Sequence, residues 1–163
     1  MRILVLGGTR FLGPPVVRQL IERGHDVTMF HRGTREPSLL SGLSTGSDRS
    51  PELGAEIDFD NLEVEQETAG DDALPVTVLR LPVIYGESDV QRRLAHYVRR
   101  MDAGRPVVVL DTRLARLRLS RGYVENVAAA VVLGATDERA RGRTYNVAEP
   151  VAYTELEWAA AVG

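Results

Sequence analysis

The run Ile3–Leu6, followed by Gly7-Gly8-Thr9-Arg10-Phe11-Leu12-Gly13, constrains this fold more than any other feature of the chain. Ile-Leu-Val-Leu is apolar without alternation, the pattern of a strand buried on both faces of a parallel sheet. It runs into glycines that permit a tight turn. Pro14 and Pro15 then suit the first turn of a helix, where N–H groups have no intrahelical partner. Val16, Val17, Leu20 and Ile21 share one helical face, opposite Arg18, Gln19 and Glu22, and Gly24 stops the helix. Asp26–Phe30 reads as a second strand. Residues 1–36 therefore spell a βαβ unit.

A glycine turn between a strand and a helix can hold a dinucleotide. Gly7 allows the turn, the helix N-terminus offers N–H groups and a positive dipole to a pyrophosphate, and Gly13 lets the helix pack closely. Gly7, Thr9, Arg10, Phe11, Leu12 and Gly13 are the candidate cofactor-binding residues; the alternative is a β–α turn using glycine only for packing. An acid that would grip a ribose 2′-hydroxyl belongs at the end of the second strand. That place reads Phe30-His31-Arg32-Gly33, a basic pair with no carboxylate. Arg32, with His31 beside it and Arg10 nearby, favours the 2′-phosphate of NADP over NAD. The alternative for Arg32 is a solvated side chain.

Residues 37–54 are rich in Ser, Gly, Thr and Pro and read as a flexible linker. Residues 55–163 hold the remaining elements. A helix of modest amphipathicity is expected over Ala55–Glu67, in a stretch from Glu52 to Asp72 that is acidic and lacks arginine. Val76–Leu81 is a third apolar strand, closed by Pro82. Leu94, Tyr97, Val98 and Met101 have helical spacing. Val107–Leu110 is expected to pair with Leu117–Tyr123. Val124, Val127, Ala128 and Val131 mark another helix, Thr144–Val147 another strand, and Thr154 with Glu157 a capping box for a last helix.

Composition narrows the chemistry. The net charge of -3 and the lack of an aromatic platform disfavour nucleic acid as a partner. The absence of cysteine removes disulfides and thiolate metal sites, and the three histidines have no ligand spacing, so no metal site is expected. No apolar run approaches the roughly 20 residues of a membrane helix. Met1–Leu6 is too short for a signal peptide, and a cytoplasmic location is the expectation. All 20 Lys+Arg residues are arginine, so chemistry needing a lysine amine is excluded.

At this point the chain resembles the NAD-dependent epimerase/dehydratase family, within the short-chain dehydrogenases/reductases. Ile3–Gly13 is similar to that family's first strand and turn, with Arg10 where a glycine is usual. Leu74–Pro82 with Val83-Ile84-Tyr85-Gly86 is similar to its sixth core strand and loop, Arg121–Ala128 to the segment entering the substrate region, and Tyr145–Pro150 to its last core strand. The resemblance implies an α/β, Rossmann-like parallel sheet with helices on both faces and small C-terminal elements of a substrate region. It implies an ancestral oxidoreductase or epimerase acting on a nucleotide sugar or similar carbonyl compound.

Two departures stand out. Residues 34–54 cannot hold strands three, four and five with their helices, since each parallel crossover needs about a dozen residues. The chain thus reads as an internally shortened member, and closing the gap by sliding Val76–Leu81 beside Ile3–Leu6 gives the order 2-1-6-7. The alternatives are a second chain filling the gap, as in a homo-oligomer, or a marginal and partly molten protein. The second departure concerns the family's Tyr-x-x-x-Lys pair, which acts as a proton-transfer unit. The matching positions hold Ile57 and Asn61, with Glu65 one turn later, and no catalytic residue is assigned. Tyr85 is a weak substitute without a basic partner in sequence. Arg118 and Arg121 fall where relatives bind substrate phosphates; the plainer reading pairs them with the acidic stretch. The resulting expectation is an NAD(P)-binding protein that has lost its catalytic pair. The alternatives are a non-catalytic nucleotide-binding module and a remnant without function.

Overall fold

The computed structural model describes residues 1–31, 44–47, 63, 65–66, 74–105 and 107–162. The strand β1 (Arg2–Leu6), helix α1 (Gly13–Glu22) and strand β2 (Asp26–His31) form the βαβ unit read from the sequence. The two strands pair in parallel from Arg2 with Asp26 to Leu6 with Phe30. Gly24, at φ +79°, takes the left-handed conformation that ends α1. A short strand β3 (Ser44–Ser47) adds in parallel to β2. Those four residues fall inside the stretch expected to be linker throughout, and Ser-Thr-Gly-Ser carries no apolar pattern to announce a strand.

The second half begins with β4 (Val78–Arg80) and β5 (Val83–Tyr85). Helices α2 (Ala95–Asp102) and α3 (Thr112–Arg116), strand β6 (Arg121–Tyr123) and helix α4 (Val124–Thr136) follow. A single 3₁₀ turn at Glu138–Ala140, strand β7 (Thr144–Asn146) and helix α5 (Glu155–Val162) complete the order. Two-stranded parallel pairs join β4 to β7 and β5 to β6. Thr154 and Glu157 form the expected capping box, each side chain accepting from the other residue's N–H, at 3.2 and 2.7 Å. In the acidic stretch only residues 63, 65 and 66 are described, and these are helical.

The α/β class with parallel strands is as expected, and so are two of the three neighbour relations in the order 2-1-6-7: β2 beside β1, and β4 beside β7. The third is corrected. Among the described residues β1 stands at an edge, in the order β1-β2-β3, and does not pair with β4. The halves are joined by helices instead. Val16, Val17 and Leu20 of α1 pack with Val27 and Met29 of β2 and with Ala128 and Val132 of α4. Each of these Val, Leu and Met side chains, taken out of water, contributes about 1.5–3 kcal/mol before entropy is counted. Small Ala128, fully buried, lets the two helices approach closely. This packing uses the α1 face of the first sheet. Leu4, Leu6 and Phe30, on the alternate positions, remain exposed.

A second correction concerns 107–123. Val107–Leu110 forms no strand. Asp111 accepts hydrogen bonds from the N–H groups of Arg113 and Leu114, starting α3 where a hairpin turn would have been needed. Beyond α3, Arg121–Tyr123 pairs with β5. Gly122 makes that possible: a Cβ there would lie 2.5 Å from Val127 Cγ2 and 2.9 Å from Pro82 Cγ.

Candidate functional site

The glycine turn is built by close backbone approach. Gly7, at φ +86°, donates its N–H to the Phe30 carbonyl at 2.8 Å, tying the turn to the end of β2. A Cβ on Gly13 would lie 2.2 Å from the carbonyl oxygen of Gly8, so only glycine lets α1 start against the turn. Phe11 is held at φ +38°, an unusual conformation for a bulky residue and one that stores strain.

The distribution of N–H groups is informative. The Gly13 N–H is taken by the Arg10 carbonyl at 2.8 Å, and Pro14 and Pro15 have none. Among the described residues the N–H groups of Thr9, Arg10, Phe11 and Leu12 meet no acceptor. No acidic residue lies in the first turn of α1, and Leu12 supplies no side-chain cap. Unpaired donors at the positive end of a helix, without a competing carboxylate, fit an anion such as a pyrophosphate. Thr9, Phe11, Leu12 and Gly13 are half-buried, while Gly7 and Arg10 are exposed.

The other sequence candidates separate. His31 is buried on the same face as Val27 and Met29. Arg32, Ile57 and Asn61 lie outside the described residues. Glu65 does not pair with Arg118 or Arg121; it grips Arg80 of β4 at 2.5 Å, and that guanidinium holds the half-buried carboxyl below the ordinary glutamate range.

Tyr85 belongs to a second cluster, at the C-terminal end of the chain. Its hydroxyl donates to Glu149 at 3.1 Å, and its ring meets Trp158 edge-on with 4.8 Å between centroids. Burial first, then the Glu149 carboxylate, pushes its phenol up to about 12. Glu149 also accepts the Tyr123 N–H at 2.8 Å. Beside it Arg121 forms a buried ion pair with Glu155, which also accepts from Tyr97, and lies 4.7 Å from the centre of the Trp158 ring. One guanidinium nitrogen of Arg121, Nη1, is buried without a hydrogen-bond partner. Arg118 donates to the Ala152 carbonyl at 2.7 Å and reaches Glu157 at 3.5 Å. The arginines expected to face the acidic stretch therefore face α5. Glu149 lies in the Tyr145–Pro150 segment but was given no role there, and Glu155 and Trp158 carried no motif beyond the capping box that places α5.

Among the described residues no three His, Asp or Glu side chains converge as metal ligands, and no helix is long and apolar enough to cross a membrane.

Residues 59–148 match the model of the NAD dependent epimerase/dehydratase family. No curated protein matches by sequence. Among solved structures, the chain is similar to a UDP-glucose 4-epimerase with UDP-glucose from Thermotoga maritima, at 16% identity and a TM-score of 0.73, covering 99% of this chain and 81% of that one. It is similar to the Thermus thermophilus UDP-glucose 4-epimerase complex with NAD, at 17% identity and a TM-score of 0.66, covering 99% and 82%. A dTDP-glucose 4,6-dehydratase from Bacillus anthracis in complex with NAD gives 13% identity and a TM-score of 0.68, covering 99% and 79%. At such identities the likeness is one of fold.

Proposed function

Because the chain belongs to the NAD dependent epimerase/dehydratase family, we propose that it binds a nicotinamide dinucleotide on the Gly7–Gly13 turn and has lost the family's hydride-transfer chemistry. The carrying observation is the set of unpaired N–H groups at residues 9–12, beside a glycine that nothing larger can replace. Thr9, Phe11 and Leu12 would hold the pyrophosphate, with Gly7 and Gly13 making room and Arg10 adding charge. Arg32, next to His31, gives the preference for NADP over NAD. When bound, the dinucleotide supplies a hydride donor or acceptor. Two similar solved structures contain NAD, which supports the cofactor class.

The loss of chemistry rests on what the chain lacks. It contains no lysine, so no ammonium can lower a tyrosine pKa in the family's manner. Ile57 and Asn61, at the matching positions, can neither move a proton nor tune a neighbour. Tyr85 does not replace them, because its hydroxyl is engaged with a carboxylate that favours the protonated phenol. The ancestral substrate class is a nucleotide sugar or a similar carbonyl compound. One similar solved structure holds UDP-glucose, and Arg121 has a buried Nη1 donor. A nicotinamide dinucleotide is an intracellular cofactor, which supports a cytoplasmic place of action.

The test is calorimetric titration with NADPH and NADH, then a carbonyl-reduction assay. Binding without turnover is expected, and robust turnover by a pure sample contradicts the proposal. Among the described residues β1 stands at a sheet edge and Leu4, Leu6 and Phe30 are exposed, which supports pairing between copies of the chain. Light scattering should show a concentration-dependent mass that falls on Leu4→Lys substitution; a monomer at all concentrations rejects this assembly.

A further inference from the structure

The basic residues are not spread evenly over this acidic protein. A groove of about 600 Å³ beside α2 is lined by Arg92, His96, Arg99, Arg100 and Arg105, together with Ala95 and Ala103. No lining residue is acidic. None of these four arginines forms an ion pair among the described residues, whereas neighbouring Arg93 is neutralised by Asp89 at 2.8 Å. Arg100 makes one long hydrogen bond, 3.4 Å from Nη1 to the Val107 carbonyl. Helix periodicity puts His96, Arg99, Arg100 and Ala103 on one face, and Arg92, at φ +49° in the turn before α2, joins them in the lining. Leu94, Tyr97 and Met101 turn the opposite way, and Tyr97 is anchored there by Glu155 of α5. The groove is therefore separate from the aromatic cluster around Tyr97, Arg121 and Trp158.

Four unpaired guanidiniums converging on one concavity repel one another unless an anion joins them. Guanidinium groups match phosphate oxygens in geometry as well as charge. We infer that this groove is a binding site for a small ligand carrying two phosphate groups. Such a ligand brings roughly three to four negative charges, at about −1.5 to −2 per phosphate, against four arginines. A nucleic-acid backbone fits less well. An eight-residue helix spans only about 12 Å, too short to track the six to ten phosphates of a typical contact, and the net charge of the protein is -3.

Inorganic diphosphate is the probe, titrated into the full chain by calorimetry. Saturable one-to-one binding is expected. It should weaken about tenfold or more in the double variant Arg99→Gln/Arg105→Gln, and by a smaller factor in Arg92→Gln. All three positions are exposed and unpaired, so circular dichroism and melting should not change. NADPH binding should persist in these variants, which separates this site from the glycine turn. The inference is overturned by an absence of saturable binding, by equal affinity in the variants, or by displacement of diphosphate on adding NADPH. It is equally overturned if a long single-stranded oligonucleotide binds the groove more tightly than diphosphate does.

Discussion

The guanidinium of Arg18 on α1 lies 2.6 Å from the carboxylate of Glu125 on α4, joining residues 107 positions apart. Gln19 strengthens the junction by donating to both the side chain and the carbonyl of Glu125, at 3.0 and 3.1 Å. With no strand pairing between β1 and β4, this helix contact carries the two halves.

Its strength is expected to be apolar rather than ionic. Both charged side chains are more than a third exposed, and such pairs contribute about 0–1 kcal/mol. Val132 is fully buried in the same contact. Val132→Ala should cost about 1–3 kcal/mol in urea unfolding, and Arg18→Ala less than about 1 kcal/mol. The reverse ranking would mean that the ion pair holds the halves together.

Gly13→Ala tests the turn. The added methyl meets the Gly8 backbone 2.2 Å away, so main chain must move. The expected outcome is loss of dinucleotide binding together with a lower melting temperature. Gly104→Ala is a control for backbone strain alone: it has φ +62° but open space around its Cβ. It should lower stability slightly and leave binding intact. Equal effects at the two positions would contradict a close-packed turn.

Tyr85 and Tyr97 set an alkaline limit on stability. Burial first, then Glu149 for Tyr85 and Glu155 for Tyr97, pushes both phenols up to about 12. An unfolded tyrosine ionises near pH 10. Between these values the unfolded chain binds fewer protons than the folded one, so stability falls as pH rises. The contribution is complete below about pH 10 and is lost as pH climbs through about 12. Denaturant unfolding from pH 9 to 12 should show this decline, reduced in Tyr97→Phe, with no corresponding loss on the neutral side. Stability independent of pH over that range would show that these phenols are not held in their protonated form.

Local signals made the βαβ unit legible, because the apolar run, glycines, prolines and helical face of residues 3–30 all lie within one short stretch. Segments that pair at a distance were harder to read. Ser44–Ser47 joins β2 through backbone alone. Arg121–Tyr123 chose β5 over its sequence neighbour 107–110 because Asp111 starts a helix between them. The aromatic cluster joins Arg121 to Glu155 and Trp158 across more than 30 positions, and no spacing rule connects an arginine to a carboxylate so far along the chain. The two prolines after Gly13 mark where the helix starts, but which N–H groups of the turn stay unpaired, and the bond from Gly13 to Arg10, needed the folded backbone.

Calorimetric titration of NADPH into the pure protein, followed by a carbonyl-reduction assay on the same sample, tests the central claim most directly. Saturable binding that disappears in Gly13→Ala, with no NADPH oxidation above the protein-free rate, is the predicted result. The absence of binding in the unsubstituted chain, or steady NADPH oxidation by it, would contradict the account.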